Sequence, residues 1–150
     1  MGTHYKGTEE EGIALDTYIK LMRSTESFTA RAHRHLTAAG LTFSQFQVLE
    51  LIFHLGPMCQ RDIAQKILKS TANLTVVIDN LEKRELVQRL RDTEDRRYVN
   101  VHLTDEGRQL IEKIFPRHVE VLVKEMSVLS PIERKELGRL CRKLGLQEGR

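Results

Sequence analysis

Apolar residues recur along this chain at helical spacing over most of its length and at strand spacing in one short stretch. Across residues 13–38, Leu15, Tyr18, Met22, Thr25, Thr29, Ala32 and Leu36 fall at three- and four-residue steps. Ile19 and Leu21 widen the stripe, and no Pro or Gly interrupts it. The spacing predicts one long helix with a single buried face. A helix of that length in so small a protein overhangs its own core, which points to packing against another subunit. Residues 1–12 are polar and acidic and read as a flexible tail, not a signal peptide.

Gly40 ends the first helix, and Thr42-Phe43-Ser44-Gln45 opens the next as a capping box, with Leu41 and Phe46 as its hydrophobic staple. Phe46, Leu49, Ile52 and Phe53 point this helix inward until Gly56-Pro57 stops it. A short helix over about 60–68 carries Ile63, Ala64 and Ile67. Ser70 caps another over about 71–84, with Leu74, Val77, Ile78 and Leu81 as its stripe. Two short helices with almost no linker have helix-turn-helix spacing.

The period then changes from helical to alternating. Val99, Val101 and Leu103 alternate with Asn100 and His102, as a strand with one wet face does. This strand, over about 98–103, pairs with one over about 86–91 through the turn Asp92-Thr93-Glu94-Asp95-Arg96-Arg97. Thr104 caps the following helix, with Asp105 and Glu106 in its first turn where the dipole favours acids. Ser130-Pro131-Ile132-Glu133 opens the last helix, whose stripe is Leu137, Leu140, Cys141 and Leu144. The fold class expected is mainly α with a small β wing, a winged helix-turn-helix flanked by dimerisation helices. Residues 13–146 form one domain, with the winged unit at about 42–104 and the flanking helices at about 13–38 and 105–146. Three flanking helices carry more apolar surface than that small unit can cover, and a two-fold homodimer is the simplest way to bury it.

Composition adds limits. At 150 residues, 40% hydrophobic and 30% charged, the chain is ordinary for one globular domain. No apolar run approaches the roughly 18 residues that span a bilayer, so no membrane role is expected. Two cysteines make no disulfide framework and fit a reducing cytoplasm. The net charge of +3 is weak evidence by itself, but its placement is not. Lys83, Arg84, Arg89, Arg91, Arg96 and Arg97 crowd together, diluted by Glu82, Glu85, Asp92, Glu94 and Asp95. Folded geometry must separate the two signs.

A helix in the major groove presents its first turns to base edges. Thr71, Asn73 and Thr75 are short and polar there; Asn pairs bidentately with adenine, and Thr hydrogen-bonds or touches a thymine methyl. Ser70 serves the cap first. Arg97, at the hairpin tip, suits the minor groove, with Asp95 orienting it through a bidentate pair and Arg96 serving phosphate or solvent. Lys69, Arg61 and Lys83 are phosphate candidates. The alternative is a winged-helix module that docks protein and reads no DNA sequence. An enzyme is not expected: there is no Gly-rich phosphate loop, no metal-spaced cluster and no nucleophile–base pattern, and neither cofactor nor metal is implied. His33 and His35, two apart on a helix, face different ways and cannot chelate one ion together. Cys59, just before a helix start, is the one candidate redox thiol.

Together these residues resemble the MarR family of bacterial transcription regulators, over about residues 13–145. The strongest marks are Asp95-Arg96-Arg97, Val101-His102-Leu103-Thr104 and Gly107, similar to that family's wing. Leu74-Thr75, Asp79, Leu81-Glu82-Lys83-Arg84 and Leu86-Val87 are similar to its recognition helix and exit. The resemblance implies a dimer on an inverted-repeat operator in double-stranded DNA, usually a repressor. It also implies release by a small phenolic or quinone-like effector or by thiol oxidation. An effector pocket is then expected where helices meet the winged unit, with Phe28, His33, Phe46, Phe53 and His54 as lining. Three positions depart from the family pattern. Glu85 and Leu68 stand where Gly is usual, and Val76 where Arg is frequent.

Overall fold

The computed structural model describes residues 2–67 and 70–146, and for Thr71 the backbone alone. Leu68 and Lys69 therefore lie outside the described residues, as does the Thr71 side chain. The elements in chain order are α1 (Glu9–Ala32), α2 (Arg34–Ala38), α3 (Phe43–Leu55), β1 (Met58–Cys59), α4 (Gln60–Lys66), α5 (Thr71–Lys83), β2 (Val87–Arg91), β3 (Val99–Leu103), α6 (Asp105–Met126) and α7 (Pro131–Gly145). Two compact units divide the chain. One comprises residues 33–118, and the other the residues up to Ala32 together with those from Val119 onward.

The expected helix over 13–38 is two helices. Its start lies earlier, because Thr8 and Glu11 form a reciprocal cap: the Thr8 N–H donates to Glu11 Oε2 at 2.8 Å, and the Glu11 N–H to Thr8 Oγ1 at 3.2 Å. The interruption falls at His33 without any Pro or Gly. There the imidazole stacks on Phe43 with ring centroids 3.8 Å apart. Tertiary side-chain contact, not backbone propensity, accompanies this break.

The unit 33–118 holds the core. Leu36, Leu49, Ile63, Leu74, Ile78, Leu81 and Ile111 are fully buried, drawn from α2 to α6. The starts of α3 and α5 are satisfied locally by side chains. Thr42 and Gln45 form the capping box of α3, and Ser70 Oγ accepts from the Asn73 N–H at 3.2 Å. The α3 end needs Gly56, whose φ of 86° is left-handed. The sheet order is β1-β3-β2, all antiparallel, with Val87 opposite Leu103 and Arg89 opposite Val101. The short strand β1 adds a third strand where sequence periodicity gave no sign of one.

The α5 exit is a full Schellman turn. The Leu86 N–H donates to Leu81 O and the Glu85 N–H to Glu82 O, each at 3.0 Å. Glu85 itself takes the left-handed conformation, φ 59°, which favours Gly over other residues. Thr104 then closes the wing base, its hydroxyl donating to Glu85 O at 2.6 Å and accepting from the Gly107 N–H at 3.0 Å.

In the second unit, Arg31 Nε meets Glu125 Oε2 at 2.6 Å, and Ser130 with Glu133 caps α7 reciprocally. The apolar stripes expected to be buried here are exposed in the single chain. Tyr18 and Met22 of α1 are exposed, Ile132 is 81% exposed, and Leu137, Leu140, Leu144 and Cys141 lie open as well. No residue of α7 is buried. Cys141 lies on this open stripe of α7, outside the buried core. Among the described residues, no single helix is long and apolar enough to cross a membrane.

Candidate nucleic-acid interface

Helix α5 buries Leu74, Ile78 and Leu81 against the core and so turns a defined opposite face outward. Asn73, Val76, Asn80 and Lys83 are exposed along it at three- and four-residue steps, with Ala72 exposed beside Asn73. Thr75 is not among them. It is half-buried, and its hydroxyl accepts from the Gln60 side-chain amide of α4. That bond ties the two helices of the helix-turn-helix together, because Thr75 follows Leu74 around the helix toward α4. Ser70 is committed to the N-cap, and Val76, 60% exposed, gives the centre of this face a methyl surface. Asn80, one turn beyond Val76, is an outward polar residue that sequence reading missed. Its exposure follows from the Leu74/Ile78/Leu81 register.

The wing tip is organised by two aspartates. Asp92 Oδ1 accepts from the backbone N–H groups of Glu94 (2.7 Å) and Asp95 (3.1 Å), while Oδ2 accepts from Asn100 Nδ2 at 3.1 Å. The two backbone bonds, with the Asn100 contact, hold the Asp92 carboxyl below the usual carboxylate range. Asp95 grips Arg97 bidentately: Nε donates to Oδ1 at 3.0 Å and Nη2 to Oδ2 at 2.8 Å. The Arg97 side-chain bond, then its backbone N–H, lowers the Asp95 pKa as well. Arg97 nevertheless keeps 85% of its side chain exposed, a cation presented in one orientation and not a loose one.

The crowd of basic residues is sorted by this geometry. Arg84 donates to Gly40 O at 2.7 Å, Arg89 pairs with Asp79 and Glu82, and Arg91 donates to Arg96 O at 2.6 Å inside the wing. Lys83, Arg96 and, at the start of α4, Arg61 are exposed and make no side-chain hydrogen bond or ion pair among the described residues. Half of the apparent charge cluster is scaffold.

The effector candidates fall into separate groups. Phe28 belongs to the other unit. Within residues 33–118, Phe46 is buried and lies 4.6 Å from the His118 ring, and His35 Nε2 is 3.0 Å from His118 Nδ1. His35 and His118 thus meet across 83 residues, which sequence spacing gave no means to see. Burial lowers the pKa of His33, His35 and His118, each helped by a neighbouring positive group. Elsewhere Phe53, His54 and Phe115 pack edge to face, with Arg108 over the Phe53 ring. Among the described residues no three His, Cys, Asp or Glu side chains gather as metal ligands. Cys59 is half-buried at the N-cap of α4 and accepts no capping hydrogen bond.

A helix-turn-helix of α4 and α5 followed by an arginine-tipped hairpin defines a winged helix-turn-helix protein. The MarR family model matches residues 41–99. Over 138 residues the chain is 34% identical to the HTH-type transcriptional regulator YkoM of Bacillus subtilis, spanning 92% of this chain and 90% of that one. It is 33% identical to MhqR of the same organism over 133 residues, 89% and 92% of the two chains. The chain belongs to the MarR family of transcriptional regulators. Among solved structures, BpsR of Bordetella bronchiseptica, whose DNA binding is regulated by 6-hydroxynicotinic acid, superposes with a TM-score of 0.77 at 29% identity. That match covers 86% of this chain and 98% of BpsR.

Proposed function

We propose that this chain is a cytoplasmic, homodimeric transcriptional repressor that binds an inverted-repeat operator and is released by a small aromatic effector. The observation that carries the reading is Arg97, held bidentately by Asp95 at the wing tip yet open to a groove. Asn73, with Val76 and Asn80 beside it, reads base edges in the major groove; Arg97 enters the adjacent minor groove. Arg61, Lys83 and Arg96 meet phosphates and set register. Ser70 contributes the N-cap that aims α5, and Thr75 acts through Gln60 to hold α4 against it.

The dimer follows from the exposed stripes of α1 and α7, which a second copy covers. Two-fold symmetry then calls for a two-fold operator. The effector reading is supported by similarity to BpsR and by two aromatic-imidazole contacts, His33 on Phe43 and His118 against Phe46. Neutral imidazoles suit a hydroxylated aromatic ring, to which they can donate or accept a hydrogen bond. Oxidation of Cys59 is a second route of release.

A mobility-shift titration on the region upstream of the chain's own gene tests this reading. A shifted band that dissociates on adding hydroxylated aromatic acids, phenols or an oxidant supports it. Oxidant release that survives Cys59→Ser removes the thiol route. Absence of any shift at low salt overturns DNA binding.

A further inference from the structure

Arg89 is a charged residue on the inward face of a strand. In the β2–β3 register it lies opposite Val101, which is 1% exposed, and it shares its face with buried Val87 two residues earlier. Its guanidinium is spent on α5. Nη2 lies 2.7 Å from Asp79 Oδ1, Nη1 donates to Glu82 Oε1 at 3.0 Å, and the Arg89 backbone N–H donates to Glu82 Oε2 at 3.0 Å. Asp79 and Glu82, three residues apart, share one face of the helix, so a single planar fork reaches both.

We propose that Arg89 is a positioning residue for operator recognition. With Asp79 and Glu82 it fixes the angle and separation between α5 and the wing, so that helix and wing tip fit neighbouring grooves of one duplex at once. The proposal rests on the DNA-binding reading above. Sequence-specific binding requires both elements in register, whereas non-specific binding requires chiefly positive charge near phosphate. Loss of the clamp therefore acts on discrimination. Arg89 contributes no phosphate contact, because two carboxylates already occupy its guanidinium.

The test uses the full chain. The wild type first enriches preferred duplexes from a random-sequence pool, and affinities are then measured for the selected duplex and for unselected duplex. Arg89→Met and Asp79→Ala are each expected to lower the selected-to-unselected ratio about tenfold. The affinity for unselected duplex should stay within about twofold, with its salt slope unchanged. The double variant should lose no more than the worse single one, and Arg89→Lys should recover part of the ratio. Should Arg89→Met fail to fold, Asp79→Asn carries the same test, since Arg89 keeps Glu82. An unchanged ratio overturns the proposal. So does a parallel fall in both affinities with a salt slope smaller by about one, which would make Arg89 a phosphate contact. If the wild type enriches no sequence, the DNA-binding reading falls and this proposal with it.

Discussion

Asp95 holds the Arg97 guanidinium by two parallel hydrogen bonds, Nε to Oδ1 at 3.0 Å and Nη2 to Oδ2 at 2.8 Å, and so fixes a cation that is otherwise open to solvent. A net-charge view and an orientation view of the wing predict opposite outcomes for Asp95→Ala. Removing an acid beside DNA would tighten binding if charge alone mattered. Because a pre-oriented side chain loses less freedom on binding, Asp95→Ala is expected to weaken operator affinity by about three- to tenfold at fixed salt. Anisotropy titration with labelled duplex reads the sign directly, and tighter binding would refute the orienting role.

The start of α6 packs against the exit from α5 through a missing side chain. A Cβ on Gly107 would sit 2.0 Å from the Leu86 carbonyl oxygen, which is backbone and cannot swing aside. Gly107→Ala should therefore cost about 2 kcal/mol or more of stability, the scale of an overpacked site. Denaturant unfolding followed by circular dichroism would measure it. A loss below about 0.5 kcal/mol would show that the two segments separate easily.

Glu85 gives the opposite sign. It occupies the left-handed position of a Schellman turn, φ 59°, which costs an ordinary residue about 1 kcal/mol. Replacing it by glycine relieves that strain, so Glu85→Gly is expected to raise the melting midpoint by about 2 °C, while Glu85→Ala leaves it nearly unchanged. A midpoint that drops for the glycine variant would mean that the turn carries no strain.

Histidine burial gives a pH dependence. Free imidazoles take up a proton near pH 6.5, whereas His33, His35 and His118 resist it in the folded chain. The hydrogen bond between His35 Nε2 and His118 Nδ1 also requires one ring nitrogen to accept, so it cannot survive with both rings charged. Below pH 6.5 the unfolded chain binds more protons than the native one, so stability falls as the pH drops toward the folded values and is level above about 7.5. For buried His118 the slope approaches at most about 1.4 kcal/mol per pH unit. Melting between pH 8 and 5.5 checks this, with His118→Gln expected to flatten the curve. Stability rising on acidification would contradict it.

What was legible in the sequence is what is local. The capping boxes at Thr42 and Ser130 and the Ser70 and Thr104 caps each depend on residues three apart, and each is present. Less legible were features decided by distant partners. Strand β1 is only Met58–Cys59 and exists because β3 pairs with it. The helix break at His33 accompanies its stacking on Phe43. The face of β2 also misleads: Leu90 is exposed and Arg89 points inward, because two carboxylates on α5 compensate the charge that apolar alternation would exclude. The Asp95–Arg97 pair at the wing tip could be expected from two residues that lie two apart. Thr75 could not, since its hydroxyl turns on Gln60, fifteen residues earlier.

Entry of Arg97 into the minor groove is tested by the affinity of the full chain for duplex DNA across a salt series, measured for the wild type and Arg97→Ala. With the wing in the minor groove, log affinity falls linearly with log salt for the wild type. Arg97→Ala then weakens binding to the preferred duplex by about tenfold and reduces the slope by about one. Equal affinities and equal slopes for the two proteins would contradict the account.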